Sequence, residues 1–295
     1  MTKISKKLQS ATYVHDHQAL FSCPVCGEKM QVFELKSLVC TNQHSFDFTK
    51  QGYLNLTTQQ INTKYSKELF ESRKMLMADV GFFDSLVEKI TEQIHSFVNN
   101  SAEELTLLDM GCGEGTHLVK IGETLKVQNQ PTTVAGIDLA KEGIKAAAKH
   151  YPGKIWTVAD LSNTPFQSKQ FDVILNILSP SNYAEFKRLL KTDGIVIKVI
   201  PQEGYLKELR ELAFDDPAKH SYSNKETVEL FHENFRMLKR ERLQYTMSLD
   251  QPSIQALIEM TPMTWSVPID RFQSLTSEES TKITVDLDVF VGVPK

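Results

Sequence analysis

From Ser66 onward, apolar residues recur every three or four positions. Leu69, Phe70, Met75 and Leu76 form one series; after Gly81, a second contains Phe82, Leu86, Ile90, Ile94 and Phe97. That spacing predicts two helices broken near Gly81. The period then changes to short apolar runs: Leu105-Thr-Leu-Leu-Asp109, Thr133-Val-Ala-Gly-Ile-Asp138, Ile155-Trp-Thr-Val-Ala-Asp160, Phe171-Asp-Val-Ile-Leu-Asn176 and Gly194-Ile-Val-Ile-Lys-Val-Ile200. Helical segments such as residues 144–149 separate them. Such alternation predicts an α/β fold, a parallel sheet with crossover helices. After Pro201 comes a polar, helical excursion to about Asn234. Two more strands are expected at 238–248 and 283–293, with a short helix near 254–260 between them.

The chain before Ser66 lacks these periods. Residues 1–20 read as a polar, poorly ordered lead-in. Residues 21–56 are rich in turns, and residues 57–64 are polar and read as a linker. The expected division is therefore 1–60, a small N-terminal module, and 61–295, a large domain entered through a helical connector. Apolar residues make up 41% of the chain, ordinary for a globular domain, and no run approaches the roughly 20 residues of a membrane span. The first 20 residues carry no apolar secretory core, so the expected location is cytoplasmic, with no membrane partner. Charge is uneven. Residues 1–75 hold ten Lys/Arg against six Asp/Glu, while the whole chain is at −4. A basic front on an acidic body suits contact with a polyanion.

The strongest chemical signal in the body is Leu108-Asp109-Met110-Gly111-Cys112-Gly113-Glu114-Gly115. It follows a strand and opens a helix, so its glycines allow a tight turn and close approach of a ligand. A dinucleotide fingerprint would need glycine at 116, where the chain has Thr116. G-x-G-x-G with an aspartate two residues earlier instead resembles the class I methyltransferase pattern, which implies S-adenosylmethionine as cofactor. Asp138 ends the next strand, where a carboxylate can accept both ribose hydroxyls. Asp160 ends the third, within reach of an adenine amino group. Cys112, inside the turn, reads as a small packing side chain rather than a nucleophile.

Cys23-Pro-Val-Cys26-Gly27 has the C-x2-C spacing of a zinc knuckle. Thirteen residues separate Cys26 from Cys40, and His44 follows Cys40 after three more. Cys3His is a closed structural zinc set with no position left for reactive water. His15 and His17 are competing ligands that lie in polar sequence before Cys23. A module of this size buries too little surface to fold alone, so the metal is expected to determine its fold.

Phe21-Ser-Cys-Pro-Val-Cys26, with Cys40-Thr-Asn-Gln-His44-Ser-Phe-Asp-Phe-Thr-Lys-Gln-Gly-Tyr53-Leu-Asn-Leu56, resembles the N-terminal zinc module of bacterial 23S ribosomal RNA (guanine-N1)-methyltransferases. Asp109 to Gly115, Gly136-Ile-Asp-Leu-Ala-Lys141, Asn176-Ile-Leu-Ser-Pro180 and Met260-Thr-Pro-Met-Thr-Trp265 resemble later segments of the same family. The resemblance implies a Rossmann-like, seven-stranded class I methyltransferase sheet whose last pair is antiparallel, with a small zinc domain in front. It implies methylation of guanine N1 in a 23S RNA hairpin loop near the peptide exit tunnel, and a homodimer. Zinc ligands carry over to Cys23, Cys26, Cys40 and His44. Cofactor contacts carry over to Asp109, Gly111, Gly113, Glu114, Gly115 and Asp138, with Asp160 at the adenine. Phe83 stands where some relatives have Tyr, and Tyr205 where some have His.

Asn176, Ser179 and Pro180 follow the fourth strand, where class I enzymes acting on nitrogen place the target base, and are the candidates for positioning it. No residue is singled out as the general base that must remove the N1 proton. Lys29, Lys36, Lys50, Lys64, Lys67, Arg73 and Lys74 are candidate phosphate contacts. The active site is expected at the carboxyl ends of the strands, between the two lobes. Two rival readings are a small-molecule or protein methyltransferase that uses the zinc module for docking, and a non-catalytic RNA-binding protein.

Overall fold

The computed structural model describes residues 4–59, 63–97, 104–216 and 222–295. The near-continuous apolar runs become strands buried on both faces: β5 (Leu105–Met110), β6 (Thr132–Asp138), β7 (Ile155–Val158), β8 (Phe171–Ile177) and β9 (Leu190–Pro201). Three helices cross between them: α4 (Thr116–Val127), α5 (Lys141–His150) and α6 (Tyr183–Leu189). The excursion after β9 contains α7 (Lys207–Ala213) and α8 (Lys225–Asn234). Two long strands, β10 (Phe235–Asp250) and β11 (Ser280–Pro294), form an antiparallel pair, and β11 also runs antiparallel to β9. Between them lie α9 (Gln251–Met260), capped by the Asp250 carboxylate on the Ser253 amide, and α10 (Gln273–Thr276).

With β4 (Leu54–Asn55) at one end, the sheet order is β10-β11-β9-β8-β5-β6-β7-β4. All seven expected strands are present. The eighth, β4 (Leu54–Asn55), comes from the N-terminal module and pairs in parallel with β7. The order reverses beside β5, and ligands of open α/β sheets bind outside the strand ends at such a switch point.

The N-terminal segment is better ordered than its polarity suggests. Residues 6–16 form helix α1 (Lys6–Asp16), capped by Ser5 on the Leu8 amide. One face, with Ser10, Ala11 and Val14, is buried, while Leu8 stays exposed. The small sheet β1 (Met30–Phe33), β2 (Ser37–Cys40), β3 (Ser45–Asp47) follows. This module is sewn to the large sheet. The Ser22 amide donates to the Pro165 carbonyl at 3.0 Å, Gln167 N–H to Leu20 at 2.7 Å and Leu56 N–H to Val158 at 2.8 Å. Phe21, Met30, Leu38 and Phe48 share one hydrophobic cluster with Leu108, Ile137, Ile155 and Phe166 of the sheet layer.

The connector consists of α2 (Lys67–Lys74), a wider turn of helix over Met75–Val80, and α3 (Asp84–Phe97). The break falls at Gly81, whose φ of 74° is the left-handed cap an L side chain resists. α2 then packs along α9 and α5 and overhangs the carboxyl ends of β5 and β6.

Candidate active site

Cys23 and Cys26 flank a turn closed by the Gly27 amide on the Cys23 carbonyl at 2.8 Å. Cys40 ends β2, and its amide bonds back to the His44 carbonyl at 3.0 Å. These two local turns bring the four ligand atoms within 4.8 Å of one another. His44 Nδ1 lies 3.6 Å from Cys23 Sγ and 3.4 Å from Cys40 Sγ, and the Cys26 and Cys40 sulfurs are 3.7 Å apart. Zn–S bonds near 2.3 Å in a tetrahedron require ligand separations of about 3.4–3.8 Å, so the set fits a structural zinc. His15 and His17 are elsewhere. His17 Nε2 meets Thr133 Oγ1 at 2.7 Å, which ties α1 to β6, and His15 faces Asp16.

The turn after β5 explains its glycines. Gly111 has φ 90°, and a Cβ there would stand 1.9 Å from Ser179 Oγ. Gly115 has φ 81°, and its Cβ would run into the Trp156 ring at 2.4 Å. Asp138 closes over the turn, its carboxylate accepting from the Gly113 amide at 2.8 Å and the Ala140 amide at 2.7 Å. Burial raises the Asp138 pKa against the pull of those two amides. Asp109 is buried beneath, where burial, aided by Asp138 and Glu114 and opposed by Arg73, pushes its carboxyl up to about 8. Cys112 is buried under the turn and its thiol is pushed well up by burial, as expected of a packing residue.

A cavity of about 850 Å³ opens at the carboxyl ends of the strands, within the roughly 300–1,000 Å³ of ligand sites. Its floor is Gly111, Gly113, Asp138, Leu139 and Ala140, and Ser179, Pro180 and Ser181 form one wall. α2 contributes Leu69, Phe70 and Arg73 to the roof, and Glu226, Thr227 and Leu230 of α8 close the far side. The turn backbone and a strand-end carboxylate thus face open space, the cradle an S-adenosylmethionine nucleoside needs. The expected position between the two lobes needs correcting: α2, not the zinc module, covers the cavity, because the module packs against the β7 edge.

The predicted residues divide. Gly111, Gly113, Asp138, Ser179, Pro180 and Tyr205 line the cavity. Phe83, Asp109, Glu114, Gly115, Asn176 and Asp160 do not. Phe83 is buried between Phe82 and His117. Asp160 is exposed and accepts from the Ser162 amide and hydroxyl at 2.8 Å, while Leu161 beside it faces the cavity. Asn176 is fully buried and spends its amide on holding the wall. It donates to the Met110 and Pro180 carbonyls at 3.1 and 3.0 Å and accepts from Ser181 and Lys198. It therefore positions the loop rather than touching a base. Tyr205 lies deep enough that burial pushes its phenol up to about 12.

The model described as RlmA, N-terminal, matches residues 21–67, and a methyltransferase domain model matches 107–194. A candidate 23S rRNA (guanine-N1)-methyltransferase of Bacillus subtilis is 44% identical over 93% of this chain and 97% of its own length. The chain belongs to the 23S rRNA (guanine-N1)-methyltransferase family. The 23S rRNA (guanine(748)-N1)-methyltransferase of Streptomyces fradiae is 25% identical over 82% of this chain and 85% of its own. Among solved structures, MccD overlaps 70% of this chain and 97% of its own, at 15% identity and TM-score 0.46.

Two residues in this methyltransferase's cavity escaped the sequence reading of their roles. Arg73, expected at a phosphate, instead reaches in from α2, with Nε 2.5 Å from Glu114 Oε2. The buried Glu114 carboxylate is thus held by the Arg73 guanidinium in an ion pair. Its helical neighbours Leu69 and Phe70, both buried, were the available signal that α2 is covered on that side. Lys198 is 3% exposed on β9 and lines the cavity. A lysine inside the apolar run Ile195 to Ile200 marked it, since lysine is almost never buried without a reason. Strain gathers here as well: Leu178 and Leu206, at φ 51° and 50°, both line the cavity.

Proposed function

We propose that this chain transfers a methyl group from S-adenosylmethionine to N1 of a guanine in a hairpin loop of 23S ribosomal RNA, in the cytoplasm and as a homodimer. The observation that carries this reading is the cavity above Gly111 and Gly113, open to a cofactor and bounded by Asp138, in a chain that also bears a Cys3His cluster within the RlmA N-terminal match. When bound, S-adenosylmethionine supplies a methyl group on a positively charged sulfur. Asp138 is the acceptor for its ribose hydroxyls, and the glycines give it backbone contact. Ser179 and Pro180 on the rim orient the guanine, and Asn176 fixes them through the Pro180 carbonyl. Holding N1 on the axis of transfer, about 3 Å from the methyl, supplies several kcal/mol of the barrier reduction. A loop guanine can leave its stack to enter such a pocket. Lys29, Lys50 and Lys64 are exposed and available to phosphates.

Methylation at N1 blocks Watson–Crick pairing and stops reverse transcriptase. A stop on 23S RNA that vanishes on deletion of the gene, and returns with the wild type but not with Asp138→Ala, is the expected result. An unchanged stop pattern would remove the ribosomal acceptor.

A further inference from the structure

Removing the N1 proton requires a base, and the cavity holds a side chain suited to it. Lys198 sits opposite Asn176 in the β8–β9 register, with Nζ 2.7 Å from Asn176 Oδ1 and 2.5 Å from Ser181 Oγ. Ser181 Oγ in turn donates to Asn176 Oδ1 at 2.9 Å. Asn176 Oδ1 can only accept, and the Ser181 proton is already directed to it, so both contacts require N–H donation from the lysine. A neutral primary amine has two N–H bonds and one lone pair. Two donors are thus spent on the wall, and the lone pair is left for the cavity that Lys198 lines.

No carboxylate holds Lys198 in its charged form. Among the described residues, no ion pair includes it. From β11, Asp286 and Asp288 are bound to Arg242 and Arg240. α6 presents Tyr183, α8 presents Glu226 with Tyr222 just before it, and Arg73, Asp138 and Tyr205 face the cavity from its other walls. Burial alone pulls the Lys198 ammonium down to about 8.

We propose that Lys198 is the general base that takes the N1 proton of the guanine. The inference rests on the guanine-N1 reading above. The N1–H electron pair stays on guanine N1 as the proton moves to Lys198 Nζ. That pair forms the bond to the methyl carbon, the carbon–sulfur pair passes to sulfur, and the Lys198 ammonium returns its proton to water. Atoms and charge balance as guanine plus sulfonium give 1-methylguanine, thioether and one proton.

The test uses full-length protein, a 23S RNA hairpin and S-adenosylmethionine, with 1-methylguanosine measured after nuclease digestion. Wild-type rate is expected to rise with pH and level off with a midpoint near 8. Lys198→Met should lose about 100-fold or more at neutral pH, with S-adenosylhomocysteine affinity unchanged. Lys198→Arg keeps a cation and donors but cannot give up its proton, so it should fail equally. An arginine variant that restores the rate would reduce Lys198 to a positioning or electrostatic part and overturn the proposal. So would a Lys198→Met variant within threefold of wild type. If the wild type forms no 1-methylguanosine, the guanine reading fails first, and that outcome is separate. Should the variants misfold, the wild type still decides. With lysine Cε labelled by carbon-13, one resonance, assigned to Lys198, should titrate near 8, while surface lysines titrate near about 10.4. Titration of Lys198 with the surface group would overturn the proposal.

Discussion

The zinc centre takes its four ligands from one short segment, two turns and the end of β2. The cavity takes its walls from α2, the β5–α4 turn, the ends of β8 and β9, α8 and the segment after α9. The first is set by spacing along the chain. The second exists only when the whole sheet has its topology. A local centre of that kind acts through folding, and a distributed one through binding, so substitutions in the two places should fail in different ways. They are joined beneath, because Phe21, Met30 and Phe48 share a core with β5, β6 and β7.

The largest expected effect comes from the zinc side. Binding of a structural zinc supplies on the order of 10–16 kcal/mol, against a net stability of about 5–15 kcal/mol for a whole domain. Cys40→Ser, or prolonged chelation, should therefore unfold the module and strip the β7 edge of β4. Calorimetry should show the methyltransferase part melting lower with it, and cofactor binding lost. A methyltransferase transition left at its original temperature would show the two regions to be independent and break the comparison. For the same reason, deleting residues 1–56 is a poor test of the docking alternative, since it exposes the sheet's core.

Next is Gly111→Ala. A methyl at φ 90° and 1.9 Å from Ser179 Oγ forces the turn and the rim apart, at a cost of about 1–3 kcal/mol in strain. Titration calorimetry should record a loss of S-adenosylhomocysteine affinity of about 100-fold while the zinc content stays at one per chain. Unchanged affinity would remove the turn from the cofactor site.

A smaller effect is pH-linked. Asp109 rises to about 8 in the folded protein, from about 3.9 unfolded. Between those values the folded state holds the extra proton, so this group's contribution to stability is full below pH 4 and is lost as pH rises through 8. Asp109→Asn should flatten that part of the stability–pH curve in urea melts. A slope identical in both proteins would show Asp109 ionised in the fold. The smallest effect is Asp160→Ala, which removes an exposed side chain that accepts from the Ser162 amide and hydroxyl. Cofactor affinity should stay within about threefold, and a loss of tenfold or more would restore its adenine role.

The sequence carried the strands, the helical break at Gly81 and the zinc set because each depends on neighbours in the chain. Apolar period marks a strand, and ligand spacing marks a metal turn. It carried Gly111, Gly113 and Asp138 to the cavity because the strand–turn–helix geometry that places them is also local. It could not place Phe83, Asp160 or Asn176, whose side chains could face either way until packing decided. Phe83 turned to Phe82 and His117, and Asn176 to the Met110 and Pro180 carbonyls. It likewise missed α1, whose buried face is only the small residues Ser10, Ala11 and Val14, and β4, two residues whose partner lies about a hundred positions away in β7.

The central claim is that this cavity methylates guanine at N1. Purified protein should be incubated with S-adenosylmethionine and a 23S RNA hairpin, and the digested nucleosides separated and weighed by mass spectrometry. The account predicts 1-methylguanosine with the wild type and none with Asp138→Ala. A methyl group found on another nucleoside or another guanine nitrogen would contradict it. So would transfer to a small acceptor with the RNA left unmodified.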